Sequence, residues 1–154
     1  MSTISLSLDE IFDLAKKTLL ANGCDDETAS ILSDLIRNAE RDGSLSHGLF
    51  RLPAYVSGLK SGKINGKGKP EVKKISASVI KVQGNNCLAP VVLSKGLPEL
   101  SKAAKENGVA VLAINNSHHM AAMWPETEKL AEEGLVAFAC TSYKPAVAPA
   151  GAIK

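Results

Sequence analysis

Apolar residues recur at helical spacing from the start of the chain, with Leu8, Ile11, Phe12, Ala15 and Leu19 on one face. Ser7 and Glu10 have the capping-box spacing that begins such a helix, and Gly23 ends it. Asp25 or Asp26 can cap a second helix, whose buried face is Ala29, Leu32, Leu35, Ile36 and Ala39 and which stops near Gly43. Beyond residue 70 the pattern changes. Val72 to Val82, containing Ile75, Val79, Ile80 and Val82, predicts a strand, followed by a turn at Gly84-Asn85-Asn86. Val91 to Asn107 reads as a helix with Leu93, Leu97, Leu100, Ala103 and Ala104 on one side, kinked or restarted at Pro98. Val109 to Ile114 is a short apolar run of the buried-strand type. Ala121 to Glu133 predicts a helix that tolerates Pro125 in its first turn and ends at Gly134, and Leu135 to Cys140 another buried strand.

This order of strands and helices implies an α/β domain. No Gly-x-Gly-x-x-Gly follows a strand, so nothing establishes a Rossmann nucleotide fold. The expected organisation is a helical segment over residues 1–57 and a Gly/Lys-rich connector over 58–70. A partial α/β domain, expected to bind cofactor, then occupies 71–154. Because the chain stops after a strand and loop, with little left to cover a two-layer domain, it reads as truncated.

Composition narrows the function classes. The 154 residues are 45% hydrophobic and 22% charged, as in an ordinary soluble globular protein, and with 4% aromatics the core must be aliphatic. A formal charge of +2 argues against nucleic-acid binding, and no apolar run is long enough to span a membrane. Cys24, Cys87 and Cys140 are odd in number and far apart, which fits unpaired thiols in a reducing compartment; with no signal-peptide pattern, the expected location is cytoplasmic. Lys60, Lys63, Lys67 and Lys69 alternate with Gly58, Gly62, Gly66 and Gly68, a pattern read as a solvated flexible connector rather than a phosphate site. Arg37, Glu40, Arg41 and Asp42 read as surface charge.

Two stretches hold more polar chemistry than turns need. Ser46-His47-Gly48-Leu49-Phe50-Arg51-Leu52-Pro53-Ala54-Tyr55 places a hydroxyl, an imidazole, a guanidinium and a phenol together. An imidazole exchanges protons near neutrality, and a guanidinium one helical turn on grips carboxylates with two parallel bonds. Asn115-Asn116-Ser117-His118-His119 carries the other two histidines between a strand and a helix start, where open α/β sheets bind ligands and free N–H groups attract phosphate. Of two adjacent histidines, at most one should face the site. The three histidines have neither His-x-x-x-His spacing nor an acidic partner, so no metal is expected. The two stretches are expected to meet in one site.

The first stretch, extended by Val56 and by Gly62-Lys63-Ile64-Asn65, resembles the signature of the type-2 malate/L-lactate dehydrogenase family. The likeness continues through Ala113-Ile114-Asn115-Asn116-Ser117-His118-His119 and ends at Val147-Ala148-Pro149. The run His118-His119-Met120-Ala121-Ala122-Met123-Trp124-Pro125, with Ala131-Glu132-Glu133-Gly134-Leu135-Val136-Ala137, resembles the Δ1-piperideine-2-carboxylate/Δ1-pyrroline-2-carboxylate reductase branch. Met120 departs from both branches, which have Phe there. The resemblance implies a non-Rossmann fold, usually dimeric, and NAD(P)H-dependent reduction of a small 2-imino or 2-oxo acid. By the same resemblance, Ser46 and His47 form a catalytic relay pair and Arg51 holds the substrate carboxylate. His119, Met120, Ala121, Ala122 and Met123 line the site of NADP, with NAD the alternative cofactor. A malate- or lactate-type 2-hydroxy acid dehydrogenase is the runner-up, and a non-catalytic fragment that folds or binds nucleotide is the alternative of another class. Relatives are more than twice as long and carry an acidic proton donor further on, so turnover by this chain alone is not assured.

Overall fold

The computed structural model describes residues 4–119 and 121–142. α1 (Leu8–Ala21) and α2 (Asp26–Arg41) form an antiparallel pair. Ser7 caps α1 through the reciprocal bonds of a capping box with Glu10, and the Asp25 side chain accepts from the Thr28 N–H to cap α2. Ala29, Leu32, Leu35, Ile36 and Ala39 are buried, as their spacing predicts. After α2, two short 3-10 turns at Leu45–His47 and Leu49–Arg51 lead into α3 (Leu52–Lys60). Ile11, Ala15, Leu19, Leu32, Ile36, Tyr55, Ile64 and Leu88 are among the side chains of the core these helices share.

Residues 61–70 are not a solvated connector. Ile64 is buried in that core, and backbone bonds tie Asp25 N–H to Gly66 O (3.0 Å) and Asn65 N–H to Asn86 O (2.9 Å). At Gly66 a Cβ would lie 2.8 Å from Gly23 O and 3.1 Å from Cys24 Cα, so glycine here permits a backbone-to-backbone approach. The lysines stay outside; Lys69 reaches back to Asp25 at 2.9 Å and holds its carboxyl down at about 2.

The single strand expected over 72–82 is a hairpin. β1 (Glu71–Ser76) turns at Ala77-Ser78 into antiparallel β2 (Val79–Gln83), with an irregularity between Lys74 and Ser76. α4 (Ala89–Asn107) then crosses to β3 (Val111–Asn115), which pairs parallel with β2 from Val79–Val111 to Gln83–Asn115. The sheet order is β1-β2-β3, an incomplete α/β arrangement. α4 runs through Pro98 without a break, and its buried positions are Ala89, Val91, Val92, Leu93, Gly96, Ser101 and Ala103 rather than the predicted Leu97, Leu100 and Ala104. Val92 and Ala103 pack with Ile80 and Val82 in a second core.

Three other expectations fail where a covering neighbour is missing among the described residues or a backbone rule intervenes. β3 is half exposed, with Val111 open, because it forms one edge of the sheet. Residues 135–140 form no strand, and Val136 and Phe138 are solvent-exposed. The helix expected from Ala121 begins only at Pro125 (α5, Pro125–Glu132), since Ala121 has a left-handed φ of 57° and Pro favours a first turn. No described helix is long and apolar enough to cross a membrane.

Candidate functional site

The turn after α2 carries the first wall. Ser46 Oγ lies 2.9 Å and Ser44 Oγ 3.4 Å from His47 Nδ1, so both hydroxyls address the same ring nitrogen. Arg51 donates from Nε to the Ser46 carbonyl at 2.7 Å, which fixes the guanidinium beside the turn and leaves its terminal nitrogens without a partner among the described residues. Burial, and after it the Arg51 charge, hold the His47 imidazole below its ordinary pKa, so the ring is neutral at pH 7. Tyr55, one helical turn beyond Arg51, is almost fully buried, and its hydroxyl finds no partner among the described residues. Burial pushes this phenol up to about 12, against a smaller opposing pull from Arg51.

The second wall follows β3. Asn115 and Asn116 accept from Gly84 and Asn86, both at 2.8 Å, and the extended segment continues with His118 N–H to Cys87 O (2.8 Å) and Ala89 N–H to His118 O (3.0 Å). This bridge between Leu88 and His118 lies where the two cores adjoin, because Cys87 belongs to one and Leu88 to the other. Residue 119 therefore emerges beside α3. The His119 ring meets Tyr55 edge to face, with centroids 5.7 Å apart, and Trp124 meets His47 at 6.0 Å in the same manner.

The two stretches thus meet. His119 lies near enough to Arg51, His118 and His47 for each charge to lower its pKa, after the larger effect of burial. Its Nδ1 accepts from the Ala121 N–H at 3.1 Å, so the neutral ring carries its proton on Nε2. His118 is held instead by its backbone bonds, and its Nδ1 is buried without a partner among the described residues. Of the pair, His119 joins the group around Arg51. Among the described residues no three metal-ligating side chains cluster.

Placement of the expected cofactor residues is uneven. Ala121 and Met123 are half-buried beside His119, Ala122 is fully packed, and Met120 lies outside the described residues, as does Val147-Ala148-Pro149. The start of α5 does not suit a phosphate. Pro125 offers no N–H there, and Glu126 and Glu128 place acidic groups in its first turn. Glu126 is buried, one carboxylate oxygen lacks a partner among the described residues, and burial raises its pKa.

Two contributors escaped the sequence reading, Trp124 and Glu40, while Tyr55 was noted only as the phenol of the first stretch. Tyr55 and Trp124 flank the two imidazoles, and the signal for Trp124 was a lone tryptophan five residues after His119 in an aromatic-poor chain. Glu40 is not free surface charge; its Oε1 accepts from the Leu49 N–H at 2.7 Å. Local spacing gives no hint of that contact.

Comparison with known proteins adds an independent line. A family model described as malate/L-lactate dehydrogenase matches residues 6–154. A Delta(1)-pyrroline-2-carboxylate/Delta(1)-piperideine-2-carboxylate reductase of Pseudomonas syringae pv. tomato is 39% identical over 150 residues, which cover 97% of this chain and 44% of that protein. Among solved structures, the delta1-piperideine-2-carboxylate reductase of the same organism superposes with a TM-score of 0.82 at 39% identity, over 86% of this chain and 40% of that one. Malate dehydrogenase from Entamoeba histolytica superposes with a TM-score of 0.80 at 28% identity, over 86% of this chain and 37% of that one. The chain therefore spans less than half the length of the relatives it matches.

Proposed function

Because this chain belongs to the malate/L-lactate dehydrogenase family, we propose that its two walls form part of a site for hydride transfer to a small cyclic imine bearing a 2-carboxylate. The observation that carries the reading is the grouping of His47, Arg51, Tyr55 and His119 around one cationic centre. Arg51, tied by Nε to Ser46, turns its terminal N–H groups to the substrate carboxylate. Reduction adds a hydride to C2 and leaves a proton on nitrogen. A bound nicotinamide cofactor, NADP or NAD, supplies the hydride. This chain's residues supply orientation and hydrogen bonds: His119 presents an Nε2–H hydrogen-bond donor to the substrate, and His47, hydrogen-bonded to the Ser46 hydroxyl, delivers a proton only from its protonated form.

His119, Met120, Ala121, Ala122 and Met123 are the proposed cofactor wall, and a homodimer is the proposed assembly. Its phosphates are assigned away from the α5 start, where Glu126 and Glu128 would repel them. The test follows absorbance at the nicotinamide band with Δ1-piperideine-2-carboxylate, pyruvate and oxaloacetate, each with NADPH and NADH. Oxidation fastest with the imine supports the reading. The likeness to a malate dehydrogenase favours oxaloacetate as the second reading, which faster oxidation with that acid would select. Cofactor binding with no oxidation by any of the three would identify a chain that binds nucleotide without turnover.

A further inference from the structure

We propose that Glu40, at the end of α2, is a positioning residue that sets the orientation of the His47 imidazole by capping the turn which follows it. This rests on His47 being the site imidazole, as proposed above. The two 3-10 turns flanking Gly48 have no side-chain cap of their own, and Leu49 begins the second of them. Its N–H would otherwise be one of the unpaired donors of a helical start. Glu40, nine residues earlier, fills that role with a charged acceptor at 2.7 Å.

The Glu40 side chain also occupies the space beside Gly48 that a Cβ there would fill. A Cβ on Gly48 would stand 2.5 Å from Glu40 Cδ and 2.8 Å from Glu40 Cγ, so the close approach depends on glycine at this position. Gly48 directly follows His47, and Leu49 is packed against the helical core. Pinning the Leu49 N–H therefore holds the Gly48–Leu49 peptide, one peptide beyond the residue that carries the imidazole, and so limits how the His47–Gly48 segment can turn. The remaining restraints on that ring are the two serines of its own turn and the edge contact with Trp124. Of these only Ser44 is tied to α2, by its own N–H to the Ala39 carbonyl at 2.8 Å before the turn, and none of them holds the side of the turn that follows His47.

The test uses the free chain and needs no turnover, so its failure is separable from failure of the reductase reading. Nuclear magnetic resonance would follow Leu49 amide exchange, the nuclear Overhauser contact between His47 and Trp124, and the His47 titration in Glu40→Ala and Glu40→Gln. Glu40→Ala should speed Leu49 exchange at least tenfold, the equivalent of losing one charged hydrogen bond. It should also weaken the His47–Trp124 contact and raise the His47 pKa toward 6.5 as the ring reaches solvent. Glu40→Gln keeps an acceptor of the same reach, so it should restore the contact and the titration, with exchange between the other two proteins. A purely structural role would lower thermal stability and leave the His47 titration of the folded protein unchanged, which would overturn the proposal. Should Glu40→Ala fail to fold, Glu40→Asp, which withdraws the carboxylate by one methylene, decides instead: faster Leu49 exchange together with a weaker His47–Trp124 contact supports the proposal, and an unchanged contact and titration overturn it.

Discussion

Replacing Arg51 by lysine keeps the charge and removes the fork, and so separates the two things a cation does at this site. One guanidinium donor, Nε, is spent on the Ser46 carbonyl at 2.7 Å. The two terminal nitrogens remain to give a carboxylate a pair of parallel bonds. An ammonium cannot hold the Ser46 carbonyl and also place two bonds on the ligand. The expected loss is one charged hydrogen bond, about 1.5–3 kcal/mol, or roughly 10- to 150-fold in Kd for the imino acid. Cofactor affinity should change by less than about threefold. Titration calorimetry with Δ1-pyrroline-2-carboxylate and, separately, NADPH measures both. Equal losses for the two ligands would refute the assignment. Arg51→Gln gives an internal check, because the Arg51 charge lowers the pKa of His47, Tyr55 and His119 alike. All three should rise in that variant, whatever their burial.

Acid should weaken the fold through the same imidazoles. His47 and His119 are depressed below 6.5 when folded, so below that pH the unfolded chain binds protons the folded chain refuses, and stability should fall until both titrate in the native state. Urea unfolding between pH 7.5 and 5 checks this, with the acid-side loss removed in His47→Gln/His119→Gln. Glu126 is the opposite kind of liability, since its raised pKa marks a carboxylate that is unfavourable above its folded pKa. Glu126→Gln should therefore stabilise the chain at pH 7 by a sum on the order of 1 kcal/mol, with the gain fading toward pH 4.5; a loss at pH 7 would show that the charge has a partner. Ala121→Gly should relieve about 1–2 kcal/mol of left-handed strain and return about 0.4–1 kcal/mol as chain entropy. A net gain in urea midpoint is expected, and a loss would show that the φ of 57° carries no strain.

The helices were legible because their signals are local. Ser7 with Glu10, and Asp25 with Thr28, are contacts three residues apart, and the apolar stripe of α2 needs only its own sequence. The meeting of the two polar stretches was anticipated from residue types, although what brings them together was not. That junction depends on a backbone bridge from Leu88 to His118 and on the burial of Ile64, pairings set by the fold as a whole. The hairpin at Ala77-Ser78 was missed because neither residue is a Gly or Asn turn former, while Ile75, Val79, Ile80 and Val82 read as one run. Apolar content misled at Val111, Val136 and Phe138 for the reverse reason. A hydrophobic run reports a preference for burial, and whether a neighbour satisfies it is decided elsewhere.

A consequence for proton handling follows from the crowding around Arg51. In the free site its charge disfavours a second one, and His47 and His119 both stay neutral at pH 7. A bound carboxylate offsets the guanidinium and removes the part of that depression which the Arg51 charge adds to the larger effect of burial. Both imidazoles should then titrate at higher pH, so the arrival of the anion raises the protonated fraction that the proposed reduction would draw on for the proton left on nitrogen. The linkage is measurable without catalysis: binding of Δ1-pyrroline-2-carboxylate near pH 6.5 should take up protons, seen as a dependence of the calorimetric heat on the ionisation enthalpy of the buffer. The uptake should vanish well above pH 8 and in Arg51→Gln. Binding that draws no proton from the buffer at pH 6.5 would mean that the carboxylate is held away from Arg51, and the coupling would have no source.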